Sequence, residues 1–152
     1  SVSLNKVGQV AQQQGRWGDA QAGYEESLGI RRRLTEMLGD TPESLRDLSV
    51  SLNKVGQVAQ QQGRWGDAQA GYEESLGIRR RLTEMLGDTP ESLRDLAVSL
   101  YKLGECHEQR QALTEAVDCF QEGLMIGQRL AELQPDIPAC TEVSSYFSEK
   151  LD

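Results

Sequence analysis

Apolar positions recur along much of the chain at steps of three and four. Leu45, Leu48, Leu52, Val55 and Ala59 form one such series, which predicts an amphipathic α-helix. Thr41-Pro42 and Thr89-Pro90 are helix starts, with Thr as N-cap, Pro in the first turn, and Glu43 or Glu91 near the positive helix end. Gly63 is a natural stop, because glycine tolerates the left-handed backbone that terminates helices. A tight turn from Gly63 to Asp67 follows. Ala68, Tyr72, Leu76, Ile78, Leu82 and Leu86 then mark a second helix that stops at Gly87. Helices of about 20 residues, roughly 30 Å long, alternate with short turns and leave no room for a sheet. The fold class expected is all-α.

Laid over itself, the chain repeats. Residues 1–48 and 49–96 are identical, and residues 97–144 keep the frame more loosely, with Leu100, Gly104, Ala116, Leu124 and Pro138 on Leu52, Gly56, Ala68, Leu76 and Pro90. A fixed period of 48 residues predicts a stacked α-solenoid in which each repeat buries its apolar face against its neighbours. The expected organisation is one repeat domain, 1–152, with repeats 1–48, 49–96 and 97–137 and a capping helix over 138–151. In that last helix Val143, Tyr146, Phe147 and Leu151 are expected on one buried face. The first helix starts at Ser1 without the Pro-Glu-Ser-Leu-Arg-Asp-Leu that opens its equivalent at 42–48, so its start is expected to fray, as in an array cut internally. Each identical repeat carries 6 basic and 7 acidic residues, whereas residues 97–152 carry 4 and 10, an acidic cap.

Leu52, Val55-Gly56, Gly63, Trp65, Ala68 and Tyr72 stand at the spacing of the tetratricopeptide repeat, and Leu4, Val7-Gly8, Gly15, Trp17, Ala20 and Tyr24 repeat it. The chain therefore resembles that family, in the long-helix form found in kinesin light chains and bacterial tandem arrays. The resemblance implies a right-handed solenoid whose first helices line a concave groove. The third repeat keeps Leu100, Leu103-Gly104, Ala116 and Phe120 but has Gln111 and Leu113 in place of glycine and aromatic. A different inter-helix turn is expected there. Gly56 should admit the facing helix near Ala68, with Trp65 and Tyr72 packed in the core.

The formal charge of −8 opposes nucleic-acid binding, which calls for a basic face. No run of 18 apolar residues spans a membrane. Cys106, Cys119 and Cys140 form no CxxC pair and fit a reducing, cytoplasmic setting. Catalysis is not expected: His107 is the sole histidine and stands at the apolar position of Ala59, where a structural role is expected. Metal-ligand spacing is absent, and Gly63-Arg64-Trp65-Gly66 lacks the Lys-Ser/Thr of a phosphate loop. No cofactor is expected.

Uncharged amides on the first helices carry the functional signal. Asn5 and Gln9 with Lys6, then Asn53, Gln57, Gln60 and Gln61 with Lys54, form stripes suited to the donors and acceptors of a peptide backbone. In the third repeat the stripe turns aromatic and acidic, with Tyr101, Glu105, Glu108 and Gln109, and Lys102 beside it. The expected function is a protein-interaction scaffold that takes a peptide or partner domain on these residues. The alternative is self-assembly, with repeat ends stacking or swapping between copies. Arg31-Arg32-Arg33 and Arg79-Arg80-Arg81 fall late in the second helices, and are expected to form a solvated face paired with Glu25, Glu26 and Glu36.

Overall fold

The computed structural model describes residues 17–152, and for Trp17 its backbone only. The expectations for the first helix, including its fraying, lie outside the described residues. Among these residues all regular structure is helical: α1 (Trp17–Leu38), α2 (Pro42–Gln61), α3 (Trp65–Leu86), α4 (Pro90–Gln109), α5 (Leu113–Leu133), α6 (Pro138–Thr141) and α7 (Val143–Leu151). The five long helices have 20 to 22 residues.

Helix boundaries follow local chemistry. Thr41 caps α2 by accepting from the Ser44 amide at 3.1 Å, while the Ser44 hydroxyl accepts from the Thr41 amide. This reciprocal pair satisfies two donors that the helix leaves open. Ser44 also donates to the Gly39 carbonyl at 3.0 Å, tying the end of α1 to the start of α2. Thr89 and Ser92 repeat the arrangement with Gly87. The stops at Gly39, Gly63 and Gly87 all have positive φ, +84°, +74° and +80°.

The turn of the third repeat does not differ, contrary to expectation. Gln111 takes φ +59° at the place of Gly63. Its amide bonds to the Glu108 carbonyl at 3.0 Å and that of Ala112 to His107 at 2.8 Å, matching Gly63 to Gln60 and Arg64 to Ala59. The hydrogen-bond pattern of the turn overrides the side-chain penalty of the left-handed conformation.

The chain divides into two compact units, residues 1–78 and 79–152, with the boundary inside α3. In the first, α1 packs on α2 through Ala20, Tyr24, Val55 and Val58. Gly56 lies under the Tyr72 ring: a β-carbon there would sit 2.9 Å from Tyr72 Cε1 and 3.3 Å from the Ala68 carbonyl. Ser75 donates to the Ser49 carbonyl at 3.0 Å. Trp65 does not join this core; it is half-buried beside the turn, while Tyr72 is fully enclosed.

In the second unit α4 packs on α5, and α7 closes over α5. Phe120 covers Gly104, and Phe147 covers Gly123. Leu93, Leu130 and Cys140 form a further cluster with Ile126, Leu133 and Val143. The closing segment breaks into α6 and α7 at Glu142. Phe147 is its buried anchor, with Val143 and Leu151 half-buried. Tyr146 instead points outward, 54% exposed.

Of the expected acidic partners Glu36 acts on Arg32 through its charge, but the hydrogen bonds and ion pairs of Arg31, Arg32, Arg79 and Arg80 reach to other helices. Arg32 makes a bidentate bond to Glu74, at 2.6 and 2.9 Å, rather than to Glu25, Glu26 or Glu36 on its own helix. Arg31 reaches Asp47 at 2.9 Å. In the second unit Arg80 grips Glu122 in the same way, with one arm at 2.8 Å, and Arg79 donates to the Asp95 carbonyl and the Ser99 hydroxyl. In both bidentate pairs the planar fork closes on a carboxylate of the next second helix.

Candidate functional site

The first-helix faces differ between the two compact units. On α2 the amide stripe is partly internal. Asn53 is buried, and Lys54 places its ammonium 5.7 Å from the centroid of the Tyr24 ring. Gln60 Oε1 accepts from the Tyr72 hydroxyl at 2.8 Å. Gln57 and Gln61 remain exposed. Asn5, Lys6 and Gln9 lie outside the described residues. A buried phenol needs a partner for its hydroxyl, and Gln60 supplies it across the α2–α3 turn. The sequence reading missed this because the partners are twelve residues apart and face each other only after the turn.

On α4 the equivalent face opens into a cleft of about 490 Å³. One wall is a stripe at helical spacing, Arg94, Ala97, Val98, Tyr101, Lys102 and Glu105; the other is Ala139, Val143, Tyr146 and Phe147 from α6 and α7. Tyr101 and Lys102, expected from the sequence, are thus brought together on this wall. Arg94 and Val98 were not anticipated, and Val143 and Tyr146 were expected only as packing residues of the closing helix. Their signal is the step of three and four that continues the Tyr101 stripe toward the helix start and recurs in the closing helix.

Aromatic packing fixes the floor. The Tyr101 ring lies 6.1 Å from Phe120, tilted, and 5.7 Å from Phe147, edge to face. Lys150 closes one end, donating to Glu108 at 3.1 Å and lying 3.4 Å from Glu105, with its ammonium 5.5 Å from the Tyr101 centroid. Glu105 and Glu108, the acidic part of the expected stripe, are therefore engaged by the chain's own closing helix. Burial, then the Glu105 charge, raises the Tyr101 phenol above its ordinary range. Val98 and Tyr146 stay about half exposed. The result is an apolar slot with Arg94 and Lys102 on one wall, able to hold an apolar side chain and a flanking polar segment.

His107 is buried, as a histidine on the apolar face should be, and its Nδ1 has no hydrogen-bond partner. Cys106 is fully enclosed, and burial, then the nearby Glu105 charge, pushes its thiol up to about 11. Among the described residues no three His, Cys, Asp or Glu side chains converge as metal ligands, and no helix is long and apolar enough to cross a membrane. No protein-family model matches the chain, and no curated protein is significantly similar to it.

Proposed function

We propose that the chain is a tetratricopeptide-like α-solenoid that acts as a protein-interaction scaffold, holding a peptide or partner segment against its first-helix faces. The observation that carries this reading is the cleft between α4 and α7. Its walls are two helical stripes fixed by packing before any ligand arrives, which lowers the ordering cost of binding. Val98, Tyr101, Val143 and Tyr146 supply apolar contact, and Arg94 and Lys102 supply charge and hydrogen-bond donors. On α2, in the first unit, Gln57 and Gln61 are exposed polar groups of the kind a peptide backbone can use, while Asn53, Lys54 and Gln60 also serve the packing. Three free, buried cysteines accord with a reducing compartment such as the cytoplasm. Neither catalysis nor a cofactor enters this reading.

A peptide-display selection against the full chain tests it, followed by titration of a selected peptide into Val98→Glu. Val98 is 45% exposed, so this change should leave the thermal melt in place while weakening peptide binding tenfold or more. Unchanged affinity would remove the cleft as the binding surface.

A further inference from the structure

The cleft between α4 and α7 offers a peptide backbone little to bond with. Its two walls run side by side in the same direction: Cys140 packs with Leu93, the Phe147 ring meets Tyr101 at 5.7 Å, and Lys150 reaches Glu108 at 3.1 Å. Ala97, Val98 and Tyr101 line one side, and Ala139, Val143 and Tyr146 the other. Glu105, the acidic group in the lining, is held by Lys150. An extended segment pressed between these walls would leave many of its amides and carbonyls without partners. A helix satisfies those groups within itself and presents only side chains. From Arg94 to Glu105 the α4 wall is roughly 16 Å long, the length of about eleven helical residues.

The two rims carry opposite charge. Arg94 is exposed and makes no hydrogen bond or ion pair with another described residue. Val98 and Lys102 follow it at steps of four along the same edge. On the other side Glu142, Tyr146 and Glu149 stand at steps of four and three. Glu142 keeps helical dihedrals, φ −84° and ψ −16°, so this spacing carries across the break between α6 and α7. Both glutamates are exposed. Burial and the Glu105 charge lead the causes that raise the Tyr101 phenol, and the Glu149 charge is among the others, so its field reaches the cleft.

We infer that the cleft takes an amphipathic α-helix of another protein, with an apolar stripe at steps of three and four, carboxylates along the edge that meets Arg94 and Lys102, and cations along the edge that meets Glu142 and Glu149. The inference rests on the proposed role of the cleft as a binding surface and adds the chemistry of its partner. Opposite charges on the two edges also fix the direction in which the helix lies, because turning it end for end brings like charges together.

The test pans two display libraries of equal length against the full chain. In one, a helix-forming scaffold carries Leu, Ile or Phe at steps of three and four, with Glu, Lys and Gln mixed at the edge positions. The other is random around two fixed central prolines, which bar a continuous helix. Binders are kept when Val98→Glu weakens them tenfold or more. The helical library should supply them, with Glu enriched on one edge and Lys on the other. Arg94→Glu should weaken a selected peptide about tenfold, and lysine in place of the peptide's facing glutamate should recover most of that loss. Val98-dependent binders of equal affinity from the proline library, or binders indifferent to Arg94→Glu, would overturn the inference while leaving the cleft a peptide site. No Val98-dependent binder from either library would overturn the proposed function as well. Light scattering of the chain alone covers the other occupant: a mass that falls on Val98→Glu would show a second copy in the cleft and overturn the inference.

Discussion

The hydroxyl of Tyr72 donates to Gln60 Oε1 at 2.8 Å, so one amide of the α2 stripe is committed to the packing of α3. Gln57, one turn earlier, faces solvent. The two glutamines should therefore separate cleanly. Gln60→Leu should cost about 1–3 kcal/mol in denaturant unfolding, because it leaves the hydroxyl of the buried Tyr72 without a partner. In a Tyr72→Phe background the same change should cost little, and the cycle measures the coupling directly. Gln57→Ala should leave stability unchanged within about 0.5 kcal/mol, as surface substitutions do.

Gly127 and Ser144 set how closely α5 and α7 approach. A β-carbon at 127 would lie 2.7 Å from the Ser144 amide nitrogen and 2.8 Å from its Cα. Backbone cannot swing aside as a long side chain can. Gly127→Ala should therefore destabilise the second unit by about 1–3 kcal/mol of overpacking, less roughly 1 kcal/mol regained from helix propensity. Gly77, which has no neighbour within 4 Å of an added β-carbon, supplies the contrast. Gly77→Ala should stabilise by up to about 1 kcal/mol in the same urea titration.

Helix limits were legible because they are local: Thr41, Thr89, Gly63 and Gly87 act through backbone atoms within a few residues. The all-helical class followed from periodicity, and the Gly56–Tyr72 and Gly104–Phe120 contacts follow the repeated spacing. The candidate site was less legible. Tyr101 and Lys102 were visible, but the opposite wall of their cleft comes from a segment some forty residues later. The arginine partners were misread because pairing along a helix is counted by sequence, whereas Glu74 and Glu122 become neighbours only after helices pack. Trp65 and Tyr146 show the same limit, since an apolar residue near the edge of a stripe can face either way.

Gln111 holds the left-handed conformation that Gly63 holds in the preceding repeat, with matching backbone hydrogen bonds. A non-glycine residue at this φ costs about 1–2 kcal/mol. Glycine removes that cost but enlarges the entropy of the unfolded chain by about 0.4–1 kcal/mol. Gln111→Gly should thus raise stability by about 0.5–1 kcal/mol, and Gly63→Gln should lower it. A loss of stability in Gln111→Gly would mean that the glutamine side chain itself supports the turn.

Alkaline pH should loosen the second unit through Cys106 and Tyr101 on α4 and Lys150 on α7, each of which the fold holds protonated to higher pH than the unfolded chain does. Burial raises the Cys106 thiol from an ordinary 9.0 to about 11, so the folded state retains a proton that the unfolded chain releases. Stability from this group is complete below pH 9 and is lost as pH climbs to about 11. Burial opposes the Lys150 ammonium, but the Glu108 hydrogen bond and the Glu105 charge outweigh it and raise the group above 10.5. Its contribution is complete below 10.5 and lost above that value. The melting temperature should therefore fall from pH 9 upward, more steeply past 10.5. Cys106→Ala should flatten the fall between pH 9 and 10, below the range where the raised Tyr101 phenol contributes, while Lys150→Met should flatten only part of the fall past 10.5. At pH 8 the Cys106 thiol should resist alkylation until the chain is unfolded, because it is both protonated and enclosed. Rapid labelling in the folded protein would show that α4 opens far more readily than its packing implies.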